Sequence, residues 1–120
     1  MEIRKITVNG NEYEFINHSR STRSGFAHDT TLFKGNYSIG EASCHYLNRT
    51  WECYRYQTVM KRCISDIINR KEARYIAEYK ANNGIKRLTA DKRDNVIREF
   101  YEQENIKELL TVYKELDSSN

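Results

Sequence analysis

Hydrophobic and polar positions alternate with a period of two over the first 18 residues, and the alternation turns around at Asn9-Gly10. Both residues of that dipeptide tolerate positive φ, which suits the type I′ turn of a two-residue hairpin. The turn fixes the pairing as Val8 with Asn11, Ile6 with Tyr13 and Arg4 with Phe15. Ile6, Val8, Tyr13 and Phe15 then share an apolar face, while Lys5 opposes Glu14 and Thr7 opposes Glu12 on a wet one. Residues 25–47 read as a second hairpin around Gly35-Asn36. Pairing Lys34 with Tyr37 sets Leu32 opposite Ile39 and His28 opposite Ser43. One face then carries Phe26, His28, Leu32, Tyr37, Ile39 and His45. The other carries Ala27, Phe33, Gly40, Ala42, Cys44 and Tyr46; its small side chains would let a helix come close, so it is assigned to the core. Residues 19–24 are the connecting loop.

From about Thr50 the period becomes helical. Thr50 is placed as N-cap with Glu52 in the first turn. Tyr56, Val59, Met60, Cys63, Ile64, Ile67 and Ile68 form an apolar stripe of the kind that covers a sheet. The pattern runs on through Ala73, Ile76 and Ala77 to Ala81, with a break marked at Asn69 and a stop at Asn82-Asn83-Gly84. Thr89 caps a helix bearing Val96, Ile97, Phe100 and Tyr101. Asn105 and Glu108 have the spacing of a capping box for a last helix with Ile106, Leu109, Leu110, Val112, Tyr113 and Leu116; residues 117–120 are a tail. The expectation is one α+β domain over residues 1–120, with a four-stranded antiparallel sheet of two hairpins in 1–48. About three helices follow in 50–117, the first packed on the sheet.

Composition changes this picture little. Of 120 residues 38% are hydrophobic and 31% charged, ordinary values for one globular domain. No apolar run approaches the ~20 residues that span a bilayer, and the first residues lack the apolar core of a signal peptide. A cytosol is therefore the expected location. There the three cysteines stay reduced, and the Asn-x-Ser/Thr triplets at Asn17, Asn36 and Asn48 serve as turns and caps. The net charge of +3 permits a nucleic-acid partner without demanding one, and its sign excludes an acidic DNA mimic.

Candidate chemistry clusters in the middle of the chain. His28, Cys44, His45, Cys53 and Cys63 are zinc-ligand types, and zinc takes four such groups tetrahedrally. Their spacing is not that of a zinc knuckle, and the competing reading makes Cys44 and Cys63 small core residues. Cys44 and His45 are adjacent on a strand and project to opposite faces, so they form no nucleophile–base pair; Cys53 with His28 is the remaining combination. The chain carries no Gly-rich phosphate loop, nucleophile elbow or His-Glu-x-x-His, and it reads as a non-enzyme. Arg20, Arg23, Arg49, Trp51 and Arg55 are the residue types that dominate binding hot spots. On a helix Trp51 and Arg55 would be i, i+4 neighbours able to stack; alternatively Trp51 anchors the strand-to-helix junction. Lys86 and Arg87, near the Gly84 turn, add a second basic group.

The segment Gly25-Phe-Ala-His-Asp-Thr-Thr-Leu-Phe33, followed by Cys44-His-Tyr-Leu-Asn-Arg-Thr-Trp-Glu-Cys-Tyr-Arg-Tyr-Gln-Thr-Val59, resembles a small family of phage and prophage proteins of Gram-positive bacteria. The resemblance spans roughly residues 13–64 and carries no catalytic residue with it. It implies a short, non-catalytic mobile-element product. Proteins of this kind include inhibitors of host defence, among them anti-CRISPR proteins that bind Cas9. The expectation is thus a phage-encoded inhibitor acting on a Cas9-type effector through Arg20, Arg23, Arg49, Trp51, Arg55, Lys86 and Arg87. The alternative is a small nucleic-acid-binding regulator, in a zinc-stabilised form if the Cys/His set ligates.

Overall fold

The structure is a computed structural model that describes residues 1–47 and 55–118. Four strands form one antiparallel meander in the order β1 (Glu2–Val8), β2 (Asn11–Thr22), β3 (Gly25–Lys34) and β4 (Tyr37–Tyr46). Three helices follow: α1 (Gln57–Asn82), α2 (Ala90–Tyr101) and α3 (Glu104–Ser118). No described helix is long and apolar enough to cross a membrane.

The β1–β2 register is the expected one, with Val8 opposite Asn11, Ile6 opposite Tyr13 and Arg4 opposite Phe15. Asn9 (φ 51°) and Gly10 (φ 80°) take the left-handed conformations that the turn requires. On the wet face Lys5 Nζ lies 3.8 Å from Glu14.

The second hairpin departs from expectation. Lys34 does pair with Tyr37, but Leu32 faces Gly40 and His28 faces Cys44, because the register slips between Leu32 and Phe33. Ile39 is the extra residue of a β-bulge, and one extra residue exchanges the two faces of everything beyond it. His28, Thr30 and Leu32 therefore share the inner face with Gly40, Ala42 and Cys44. The small side chains of β4 do face the core as expected, whereas Ala27 and Phe33 do not. A Cβ on Gly40 would sit 2.6 Å from Ile67 Cδ1 and Cγ1, so α1 lies against the β4 backbone itself.

The expected loop at 19–24 is strand instead. β2 and β3 pair continuously from Tyr13–Lys34 to Thr22–Gly25, leaving only Arg23 and Ser24 as a turn. Polar residues are accommodated there by alternation, with Asn17 and Ser19 inward and His18, Arg20 and Thr22 outward.

Helix α1 starts at Gln57, not at Thr50, since Arg55 and Tyr56 are described as non-helical; Thr50 itself lies outside the described residues. No side chain caps this end, but Gln57 Nε2 donates to Leu116 O (2.8 Å) and Asp117 Oδ1 (2.9 Å), joining the start of α1 to the end of α3. The helix passes unbroken through Asn69, which is exposed on its solvent side. It ends where expected, with Gly84 at φ 64°. Thr89 Oγ1 caps α2 by accepting from Lys92 N at 3.2 Å. The Asn105–Glu108 capping box does not form, because α3 begins at Glu104 and Glu108 turns to the sheet. There it accepts from Asn11 Nδ2 (2.8 Å) and Tyr13 OH (2.5 Å).

One core results. Ile6, Val8, Tyr13, Phe15 and Leu32 pack against Met60, Cys63, Ile64, Ile67 and Ile68 of α1. Phe100 of α2 and Ile106, Leu109, Val112 and Leu116 of α3 close it. The helices lie on the inner face of the sheet, and the outer face carries the polar groups described next.

Candidate binding surface

At the far end of the outer face, Asp29 organises a small polar network. It accepts from Arg20 Nε at 2.7 Å and from the Ser43 hydroxyl, and His18 Nε2 stands 3.4 Å away. The register explains the grouping, for His18, Asp29 and Ser43 are direct partners across three strands. Burial pushes the Asp29 carboxyl upward, but the hydrogen bonds from Ser43 and Arg20, with the positive charge of Arg20, outweigh it and hold the group below the usual carboxylate range. Asp29 therefore stays ionised and fixes the Arg20 guanidinium, whose side chain is still 47% exposed. Arg23 is exposed at the tip of the β2–β3 turn.

Behind this end, on the inner face, lies an aromatic and hydroxyl cluster. Ser19 Oγ is 2.6 Å from His28 Nδ1 and 2.9 Å from the Tyr56 hydroxyl. The His28 ring packs on Tyr56 (4.5 Å between centroids), Phe26 (5.2 Å) and Tyr46 (5.4 Å). The cluster anchors the residue before α1 to β2 and β3. Arg55, exposed, follows directly from this anchor.

Deeper along the same face, Asn17 and Thr30 are fully buried neighbours on β2 and β3. Asn17 Nδ2 donates to Met60 Sδ at 3.4 Å, while Asn17 Oδ1 and Thr30 Oγ1 have no hydrogen-bonding partner among the described residues. A buried unpaired hydroxyl opposes folding. Thr30→Val, which exchanges that hydroxyl for a methyl group, should therefore raise stability by roughly 1 kcal/mol. Thermal denaturation checks this; a lowered melting temperature would show the hydroxyl to be engaged.

The structure divides the residues singled out in the sequence. Arg20, Arg23 and Arg55 gather near the β2–β3 tip and the start of α1. Lys86 and Arg87 are exposed beyond the other end of α1, and a helix of 26 residues separates the two groups by ~39 Å. They are two surfaces and not one. Arg49, Trp51 and Cys53, and with them the Trp51–Arg55 stack, lie outside the described residues. Asp29, the residue that holds Arg20, was not singled out. Its signal is a carboxylate two positions past Ala27 on the same outer face, paired across the sheet with His18.

The proposed ligand set is likewise divided. His45 points outward and is exposed, opposite Ala27, so it does not share a face with His28. His28 and Cys44 do face one another inward, and Cys63 is fully buried on the core side of α1. Burial pushes the Cys63 thiol up to about 12, which keeps it protonated and makes it a core residue rather than a thiolate ligand or nucleophile. Among the described residues no group of three or more His, Cys, Asp or Glu side chains is placed to hold a metal ion. Cys44 Sγ instead has Arg62 Nη1 as a neighbour at 4.0 Å.

The chain matches no protein-family model, and no curated protein or solved structure matches it.

Proposed function

We propose that this protein is a phage-encoded inhibitor that binds a host defence effector of the Cas9 type and blocks DNA targeting by surface contact, without catalysis. The choice of effector rests on the resemblance of residues 13–64 to phage and prophage proteins. The observation that carries a binding role is the pinned Arg20. An arginine already held by Asp29 at 2.7 Å on a rigid sheet loses little side-chain entropy on docking, and arginine is enriched at the energetic centre of interfaces. Arg23, exposed at the adjoining β2–β3 turn, extends the basic surface, and its charge suits an acidic protein lobe.

The inhibitor should co-elute with its Cas9 and abolish target cleavage. Arg20→Glu with Arg23→Glu should weaken binding by 100-fold or more, since reversing two hot-spot charges removes ~3 kcal/mol or more. Lys86→Glu with Arg87→Glu, at the opposite end, should leave it within about threefold. Failure to bind any Cas9 tested, or binding indifferent to the first pair, would overturn the reading.

A second reading, a nucleic-acid-binding regulator, draws on the exposed Lys86 and Arg87 beside the Gly84 turn. It requires the protein to bind DNA or RNA with affinity that falls steeply with salt. A gel-shift series with no such binding removes it.

A further inference from the structure

A second surface, remote from Arg20, has the features of a peptide groove. β4 is an edge of the sheet. Edge strands in monomeric proteins are normally protected by lysine, proline or covering elements, yet the sequence of β4, Tyr-Ser-Ile-Gly-Glu-Ala-Ser-Cys-His-Tyr, holds neither residue. Helix α1 runs antiparallel beside this edge. Arg62 Nη1 is 4.0 Å from Cys44 Sγ, and eight residues further on Arg70 Nη2 is 3.4 Å from where a Gly40 Cβ would be. Between strand and helix opens a groove of about 220 Å³ lined by Ile39, Ile67, Arg70, Lys71 and Arg74. Its floor is apolar and its helical wall is cationic. That volume is below the ~300 Å³ at which small-molecule pockets begin, and it suits single side chains of an extended chain.

The wall is also uncompensated. Asp66 is engaged with Arg62 at 4.0 Å, and no carboxylate among the described residues forms an ion pair with Arg70, Lys71 or Arg74. Spacing then selects the occupant. Arg70 and Arg74 are separated by ~6 Å of helix rise, and alternate residues of a strand by ~6.7 Å. Side chains on one face of an added strand would meet these two guanidinium groups in step. Glu41 on the opposite face of β4 disfavours acids at the intervening positions.

We propose that the β4 edge and the α1 wall together bind an extended acidic peptide by strand addition, with carboxylates at alternate positions and uncharged residues between them. The backbone pairs with β4 from Tyr37 to Ala42, across the Ile39 bulge, the stretch that lies alongside Arg74 and Arg70. The carboxylates meet Arg70 and Arg74, and an apolar side chain reaches Ile39 and Ile67. This is recognition by β-augmentation, in which main-chain hydrogen bonds give affinity and alternate side chains give specificity. It is independent of the identity of the effector bound at Arg20.

The test is fluorescence anisotropy with a labelled, end-capped eight-residue peptide of alternating Thr and Asp. Binding should weaken at least tenfold in Arg70→Gln with Arg74→Gln, both exposed helix positions, in a protein whose melting temperature is unchanged. It should vanish when Lys replaces Asp in the peptide. It should also vanish when alternate backbone amides of the peptide are N-methylated at constant charge, and the bound peptide should slow amide exchange within residues 37–42. Absence of binding at millimolar peptide would overturn the proposal, as would binding that survives N-methylation, which would mark mere charge attraction. Two further results would overturn it by assigning the surface elsewhere. One is a single-stranded oligonucleotide that depends on Arg70 and Arg74 where the peptide does not bind. The other is a β4-to-β4 dimer in sedimentation that the peptide fails to dissociate.

Discussion

Replacing Glu108 by alanine should destabilise the protein by about 3 kcal/mol, a fall of ~10 °C or more in melting temperature for a domain of this size. Glu108 is 7% exposed, and the Tyr13 ring beneath it is 1% exposed. Its Oε1 accepts from Asn11 Nδ2 at 2.8 Å and from Tyr13 OH at 2.5 Å, with Lys34 Nζ at 3.9 Å. One carboxylate thus ties α3 to the first hairpin and to the end of β3, and truncation leaves a buried phenol and a half-buried amide without their acceptor. Glu108→Gln keeps an acceptor oxygen and should lose about half as much. An alanine variant melting within 2 °C of the parent would refute the assignment.

The same contacts set a pH dependence. Burial pushes the Glu108 carboxyl upward, but the bonds from Tyr13 and Asn11 and the Lys34 charge outweigh it, so its folded pKa lies below the ordinary 4.5. A depressed folded pKa contributes stability that is present above pH ~4.5 and is lost as pH falls through the folded value. For Tyr13 burial comes first and the bond to Glu108 second, and both raise its pKa above the ordinary 10.0. That contribution is full below pH ~10 and is lost above it. Stability should therefore decline on both sides of a plateau between these limits. In Glu108→Gln the acid-side decline should be shallower, as chemical denaturation at pH 3–7 would show.

How far the sequence could be read depended on whether a local signal set the geometry. Asn9-Gly10 admits one turn and one register, so every cross-strand pair of β1 and β2 was legible from it. Gly35-Asn36 set the start of β4 equally well, but alternation has no mark for an inserted residue, and the bulge at Ile39 exchanged His45 for Cys44 as the partner face of His28. The neighbour that lies against the strand beside this bulge, Ile67 of α1 over the Gly40 backbone, is remote in sequence. Periodicity shows which residues would share a face of α1, not where the chain begins to coil, so it does not fix the start at Gln57. Capping-box spacing is local, whereas the groups that claim the Glu108 carboxylate are 97 and 95 residues away. The surface was half legible by the same rule. Arginines are visible as residue types, but the carboxylate that immobilises Arg20 becomes its neighbour only through the β2–β3 register. The edge groove needs β4, α1 and their relative direction, none of which any single segment encodes.

Gly25→Ala should be the most damaging of the small substitutions, costing about 3 kcal/mol or more. The reason is space and not backbone conformation, because Gly25 is absent from the residues with positive φ. A Cβ built there runs into the carbonyl oxygen of Tyr46, with Tyr46 C at 3.0 Å and Leu47 Cα at 3.2 Å. These are backbone atoms that no rotamer change can move, in contrast to the Ile67 side chain over Gly40. Relief requires the first residue of β3 to separate from the last residue of β4. That parts the stacked rings of Phe26 and Tyr46, now 5.2 Å apart, and loosens the aromatic cluster around His28. Damage should be graded along the sheet. Amide exchange should accelerate at Phe26–His28 and Cys44–Tyr46 while the β1–β2 hairpin keeps its protection. Because Arg20 and Arg23 sit on this end, the effector binding proposed for it should fall with it even at temperatures where the variant remains folded. Gly10→Ala is the matched control: its Cβ meets nothing within 4 Å, so only the positive φ is strained, at a cost of about 1 kcal/mol, and the Arg20 surface should be untouched. A Gly25→Ala protein that melts within 2 °C of the parent, or loses less than Gly10→Ala, would mean that β3 and β4 do not close at this end as described.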